Sequence, residues 1–274
     1  MNFDNMSAFK KANLELMRDF DIFCKDNNID YNISCGTAIG AVRHGGFIPW
    51  DDDIDVDMHI DEFKKFKKIW KKKGNKEKYF LQTKSSDLNL TSAFFRIRMN
   101  NTTCMQKSEF NIPLHLGIPL DIFPFYNAPK TILFQKIMVS FHRYSEKFAN
   151  LNKRFYKSNI IFKYFTVAIT NFFFSLICLI SNFSKKSGLI YYPASWSKKL
   201  PIIKKDYLSP PKPIFFEDFE FLGPNMPHEY LTWTYGDYMK LPPEDKRYGH
   251  KIWIVDTEND YTEYLNGNLP LPKE

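Results

Sequence analysis

Five carboxylates fall within the seven residues from Asp51 to Asp57, directly after a stretch punctuated by Gly36, Gly40, Gly45 and Gly46. Like charges a few ångströms apart repel and raise one another's pKa, so such crowding is unfavourable unless a cation binds there. Asp53, Asp55 and Asp57 alternate with Ile54, Val56 and Met58. In a strand that alternation puts carboxylates on one face and apolar side chains on the other. A hard divalent ion with oxygen ligands, Mg²⁺ or Mn²⁺, is the simplest partner for such a face.

The rest of the chain supports a folded, mixed α/β protein. At 274 residues and 44% apolar composition it can bury a sizeable core. Ser7–Asn27 carries Phe9, Leu16, Met17, Phe20 and Phe23 at helical spacing. Tyr31–Ser34 reads as a short strand entering the Gly36-Thr37 turn, and Ile54–Met58 as a second strand. Asp61–Lys73 is an amphipathic helix with Phe63, Phe66, Ile69 and Trp70 on one side and seven lysines elsewhere. Phe94–Met99 and Ile118–Phe123 read as further strands. Asp121 stands alone in the apolar run Leu120-Asp121-Ile122-Phe123. Burying it unpaired is costly, so a metal or a basic partner is expected. Arg98 has a simpler use, pairing with an acid on a neighbouring strand.

Charge and cysteine usage narrow the setting. The net charge of +7 points to an anionic partner. The four cysteines form no C-x-x-C pair, which argues against a zinc site and for a reduced, cytoplasmic setting. Met1–Met17 lacks the apolar core of an export signal. Between Lys130 and Ile190 there are ten bases and a single acid, Glu146, and inside that stretch Tyr164–Phe183 is uncharged. Its length approaches the roughly 20 residues of a bilayer span. Thr166, Thr170, Asn171, Ser175, Ser181 and Asn182 dilute it, so a helix lying in the membrane interface over 160–186 is the expectation, with lysine flanks on anionic lipid. A buried hairpin and a spanning helix are the competing arrangements. Nucleic-acid binding is not expected, because the lysines flank an apolar helix and lack interleaved stacking groups. Three parts follow: a catalytic core over 1–129, a basic helical insertion over 130–190, and a C-terminal part over 191–274.

Two short-motif readings of the acidic run fail. As a calcium loop it puts Val56 where the turn requires glycine. As an Asp-x-Asp sugar-nucleotide motif it leaves the Gly36-Thr37 turn and Asp121 unused. Taken together, a phosphate-cradling turn, an acidic strand and a third carboxylate in a later strand make the layout of a metal-dependent phosphoryl-transfer site.

The run from Gly36-Thr37 through Arg43-His44-Gly45-Gly46-Phe47-Ile48-Pro49-Trp50-Asp51-Asp52-Asp53-Ile54-Asp55 resembles the signature of the LicD family. The resemblance continues through Phe95-Arg96-Ile97-Arg98, Thr102-Thr103 and Pro119-Leu120-Asp121-Ile122-Phe123-Pro124, and ends in Tyr235-Gly236-Asp237-Tyr238 to Glu244. It implies a nucleotidyltransferase-like fold, a small mixed sheet flanked by helices. It also implies transfer of a phospho-alcohol, such as phosphocholine, from a CDP-linked donor such as CDP-choline to a glycan or glycolipid acceptor. By the same resemblance Asp53 and Asp55 match the metal-binding pair and Asp121 the third carboxylate, while Asp57 departs from the pattern and is an auxiliary ligand at most. Gly36 and Thr37 match the phosphate-side turn, Arg43 and His44 the basic pair, and Arg96 a donor-phosphate contact. Tyr235 and Asp237 either line an acceptor groove or close the C-terminal part. The implied place of work is the cytoplasmic face of the membrane, as a peripheral enzyme. Two rivals remain at this stage: nucleotidyl transfer with pyrophosphate release, and a membrane-associated metal-binding protein without catalysis.

Overall fold

A computed structural model describes residues 3–90, 94–154, 159–195, 200–250 and 252–272. Its centre is a seven-stranded mixed sheet. Strand β1 (Asn32–Ile33) lies antiparallel to β2 (Asp55–His59), and β2 lies parallel to β6 (Pro119–Asn127). Strand β4 (Phe95–Met99) runs antiparallel along the other side of β6, and β3 (Tyr79–Gln82) closes that edge. The far end of β6 pairs instead with β7 (Leu189–Tyr191), which pairs with β8 (Ile202–Lys204). Outside this sheet, β5 (Thr103–Met105) pairs with β11 (Ile254–Asp256), and β9 (Lys212–Phe216) forms a hairpin with β10 (Phe219–Gly223). The fold is the expected mixed sheet flanked by helices.

The periodicities explain the helices that cover it. In α1 (Phe3–Asp26), Phe9, Ala12, Leu16, Met17, Phe20 and Cys24 are buried at three- and four-residue spacing. In α3 (Ile60–Lys73), Phe63, Phe66 and Trp70 face the sheet and the lysines face solvent. Phe63 stacks on Phe95 of β4 at 3.9 Å between ring centroids. The short helix α2 (Cys35–His44) follows β1 at once and ends at Gly45, whose φ of 74° needs a glycine.

Strand β6 runs four residues beyond the expected end at Phe123, through a proline. The Asp121 N–H donates to the carbonyl of Ile54, just before β2, so Pro124, three positions on, turns its N-side away from β2. On that side β4 pairing stops at Ile122 and β7 pairing starts at Tyr126. Pro124 therefore fills the gap where no neighbouring strand needs a donor. Strand β2 differs from the expected half-open face: it begins at Asp55 and is buried on both sides from Asp55 to Met58. Helices α2 and α3 pack against it, and the alternation alone does not show that cover.

The basic insertion is a hairpin of α4 (Ile132–Arg154) and α5 (Ile160–Phe183). Helix α5 is long and apolar enough to cross a membrane, and only 28% of its apolar window is buried. Its polarity is reversed relative to a soluble helix. Thr166, Thr170 and Ser181, with Ile177, pack inward, and Asn127 of β6 donates its backbone N–H to the Ser181 hydroxyl. Ile161, Phe165, Phe172, Leu179 and Phe183 are exposed, and at 3.6 residues per turn they fall within an arc of about 40° on the opposite side.

Candidate active site

The opening turn of α2 grips the start of β2. The Ser34 N–H donates to the Asp55 carbonyl at 2.9 Å, and the Thr37 hydroxyl accepts the Asp55 N–H at 2.8 Å. Asp55 is thereby held from both sides by one turn. Cys35 sits between these contacts with φ at +47°, a left-handed conformation that costs a non-glycine residue about 1–3 kcal/mol. Its N–H donates to the Tyr230 hydroxyl at 3.2 Å, and that hydroxyl lies 2.7 Å from the Tyr192 hydroxyl. Gly36 leaves room for the Asp51 carboxylate: a Cβ there would come within 2.5 Å of Asp51 Oδ2 and displace it.

In front of this turn lies a cleft of about 370 Å³. Asp51, Asp53, Asp55 and Asp121 open into it, together with Gly36, Arg96, Arg98, Tyr235 and His250. Asp55 and Asp121 are register partners on the parallel strands β2 and β6. Arg96, opposite Asp121 on β4, donates to it from Nε at 2.7 Å. Asp121 thus has the basic partner its apolar surroundings demand. Arg98 donates to Gln82 Oε1 and to the Gly117 carbonyl instead of to a carboxylate, because its neighbour on β3 is Phe80 and the nearest acceptors are uncharged.

Burial raises the carboxylates, and their mutual repulsion adds to it. Asp53 is pushed up to about 8, first by burial and then by Asp51, with His250 opposing. Asp55 is driven well above the usual range by burial, Asp53 and Asp121, against Arg96. Asp51 rises through burial and its neighbour Asp52. Hard oxygen donors crowded this way suit a divalent cation of the Mg²⁺ or Mn²⁺ kind, whose charge would relieve the repulsion.

A second arrangement joins this cluster to the C-terminal part. His250 Nδ1 lies 2.9 Å from Asp52 Oδ1 and 3.4 Å from Asp53 Oδ2, and the His250 backbone N–H also donates to Asp52. The hydrogen bond to Asp52 raises the His250 pKa to about 9. Among the described residues, Asp52, Asp53 and His250 are the set whose ligand atoms all lie within 4.8 Å of one another. A loop-holding role for Asp52 fits its burial. The partner lies 198 residues away, and no local pattern in the sequence announces it.

The remaining expected site residues are dispersed. Thr37 stands behind the cleft with its hydroxyl on Asp55. Arg43 turns away, donating to the Tyr238 carbonyl at 2.6 Å and to His44 Nε2 at 3.0 Å. His44 is exposed, with Trp50 at its edge and Arg247 over the Trp50 ring. Tyr235 lines the cleft beside Cys35, whereas Asp237 is exposed and outside it. Asp57 is fully buried two register pairs beyond Asp55, with Oδ1 accepting from Asn32 at 2.8 Å, and burial lifts its pKa to about 7.

The sequence model of the LicD/FKTN/FKRP nucleotidyltransferase domain matches residues 28–160, which hold every carboxylate of the cleft named above. The lipopolysaccharide cholinephosphotransferase LicD of Haemophilus influenzae is 33% identical over 255 residues, covering 87% of this chain and 93% of that protein. An uncharacterized protein of Rickettsia prowazekii is 53% identical over 49 residues, 18% of each chain. The chain belongs to the LicD family and is a phosphotransferase of that type.

Proposed function

We propose that the protein transfers a phosphocholine-type phospho-alcohol from a CDP-linked donor to a hydroxyl of a cell-surface glycan or its lipid-linked precursor. The observation that carries this reading is the carboxylate-lined cleft with Arg96 in a chain that aligns along most of its length with a lipopolysaccharide cholinephosphotransferase. Asp53, Asp55 and Asp121 would hold Mg²⁺ or Mn²⁺, which when bound neutralises the donor diphosphate. Arg96 and Arg98 supply fixed positive charge on the β4 side of the cleft. Such positioning and charge stabilisation account for most of phosphoryl-transfer catalysis. The acceptor oxygen forms a bond to the alcohol-bearing phosphorus as the bond from that phosphorus to CMP breaks. CMP takes the electron pair, and the hydroxyl proton passes to a cleft carboxylate. No covalent enzyme intermediate is needed.

The reversed polarity of α5 supports docking on the cytoplasmic membrane face. A contiguous outward apolar stripe marks a membrane or partner surface. One face of the helix is committed to the core, which supports an interfacial position over a spanning one. In this reading the 130–190 hairpin is the anchoring unit, and the 1–129 core with the 191–274 segment forms the catalytic unit.

Purified protein should be incubated with Mg²⁺ and each CDP-alcohol, with and without a glycolipid extract, and CMP measured. Acceptor-dependent CMP release that a chelator abolishes supports the reading. Pyrophosphate release from a nucleoside triphosphate, with no CMP from any donor, would replace it with nucleotidyl transfer.

A further inference from the structure

A second cavity, of about 270 Å³, lies on the other side of the sheet from the cleft. Strand β4 separates them: Arg96 lines the cleft and Phe95 lines this cavity. Helix α3 contributes Lys64 and Lys67, and Lys84 comes from the segment after β3. The hairpin contributes His142 and Ser145 from α4, and Thr170, Asn171, Phe174 and Ser175 from α5. Among the described residues that line it there is no carboxylate.

Three observations point to an anion of phosphate type. First, three lysines line a space with no lining acid: Lys64 and Lys67 are exposed, Lys64 also lies 3.8 Å from Asp61, and Lys84 is partly buried. Burial lowers its pKa to about 8, opposed by the charge of Glu146. Second, Thr170 is 1% exposed and its hydroxyl has no hydrogen-bond partner, an expensive state for a buried polar group. It is among the residues that line this cavity, and a χ1 rotation turning the hydroxyl into the space would let a ligand oxygen satisfy it. Third, the volume is roughly nine times a water's share of the liquid, room for a phosphate and the atoms attached to it.

The rim says where that phosphate comes from. Asn171 and Ser175 are exposed at the edge of the cavity, and Phe172, next in sequence to Asn171, belongs to the outward apolar stripe of α5. A bilayer that receives the stripe brings its headgroup layer to the rim.

We propose that this cavity binds the phosphate of a membrane-lipid headgroup, held by Lys64, Lys67, Lys84 and Thr170. The source of the phosphate rests on the membrane-docking reading of α5; the phosphate chemistry of the cavity does not.

The test is vesicle flotation of the full chain on phosphatidylcholine, with and without phosphatidylglycerol, together with calorimetric titration of glycerol phosphate and inorganic phosphate. Four variants accompany the parent: Lys67→Gln/Lys84→Gln and Thr170→Val in the cavity, Lys71→Gln/Lys72→Gln elsewhere on α3, and Phe165→Ser/Phe172→Ser in the stripe. Each must keep the parent's unfolding temperature, and Lys67→Gln alone replaces the pair if the pair does not fold. The expected result is loss of the phosphatidylglycerol-dependent gain by about fivefold for each cavity lysine removed. Thr170→Val loses part of the gain with its charge unchanged, and Lys71→Gln/Lys72→Gln loses less than twofold. The stripe variant loses binding to both vesicle types while still binding glycerol phosphate.

Equal losses in the cavity and control lysine pairs, with none in Thr170→Val, would reduce the effect to bulk charge and overturn the proposal. If the parent floats with neither vesicle, the docking reading fails. Glycerol phosphate binding that Lys67→Gln/Lys84→Gln abolishes then keeps the phosphate site while refuting its lipid source. Absence of any phosphate binding refutes the site itself.

Discussion

Thr37→Val separates two roles for a residue that the sequence places beside a phosphate and the structure places behind a carboxylate. The substitution keeps the shape and removes the oxygen that accepts the Asp55 N–H at 2.8 Å. Thr37 and Asp55 are both buried, so water cannot take over. An unsatisfied buried N–H costs about 1–3 kcal/mol. For a chain of this size each kcal/mol lowers the unfolding temperature by about 2–4 °C, giving a drop of about 4–8 °C for a 2 kcal/mol loss. Strand β2 then starts without one of its two grips, and Asp55 shifts relative to Asp121. A displacement near 1 Å in such a site costs about 10²-fold in rate. Differential scanning calorimetry and CMP-release kinetics on Thr37→Val and Thr37→Ser give the answer. The expected pattern is a lower unfolding temperature and a lower kcat for valine, with serine close to the parent. An unchanged unfolding temperature with a raised KM for the donor alone would refute the grip and make Thr37 a phosphate contact.

Two further substitutions probe the charges of the cleft. Arg96→Met leaves Asp121 without its 2.7 Å partner in a nearly buried position and should cost about 3–5 kcal/mol in urea unfolding of the metal-free protein. Added Mg²⁺ should recover part of that loss, and no recovery would separate Asp121 from the metal. His250→Ala removes a group whose folded pKa, about 9, stands above its unfolded value of about 6.5. Its contribution is fully present below the unfolded pKa and is lost as pH rises through the folded one. The unfolding temperatures of parent and variant should therefore differ most near pH 6 and converge by about pH 9.5; a gap independent of pH would mean that the charge on His250 plays no part.

The parts of the fold legible in the sequence were those with a local rhythm. The spacing of Phe9, Leu16, Met17 and Phe20, and of Phe63, Phe66 and Trp70, belongs to helices whose apolar faces can be read without knowing what they pack on. The alternation Ile54–Met58 gave the strand but not its burial, because burial depends on the neighbouring strands. Asp55 stands opposite Asp121 only because β2 and β6 are parallel partners, a relation between segments 66 residues apart that no window of sequence contains. The same holds for His250 on Asp52 and for Arg98 on Gln82. Arg43 and His44 sit inside the most informative stretch of the chain, yet α2 turns them away from the cleft that its first turn helps to build. The apolar run in α5 was legible as a helix, and the choice of outward face was not, since that is decided by which side β6 and α4 cover.

Strand β6 has a consequence for substrate selection. One end carries Asp121 in the cleft, and the other carries Asn127, bonded to α5. Six residue steps of strand between them span about 20 Å. With α5 seated on a bilayer, a rigid strut of that length would hold the chemistry at a set distance from the lipid. The enzyme would then choose its hydroxyl by elevation above the membrane as much as by the sugar that bears it. Acceptors whose modified residue is moved one sugar nearer the lipid should lose turnover on vesicles and regain it when presented free in solution. Equal turnover in the two settings would show that the strut sets no such height.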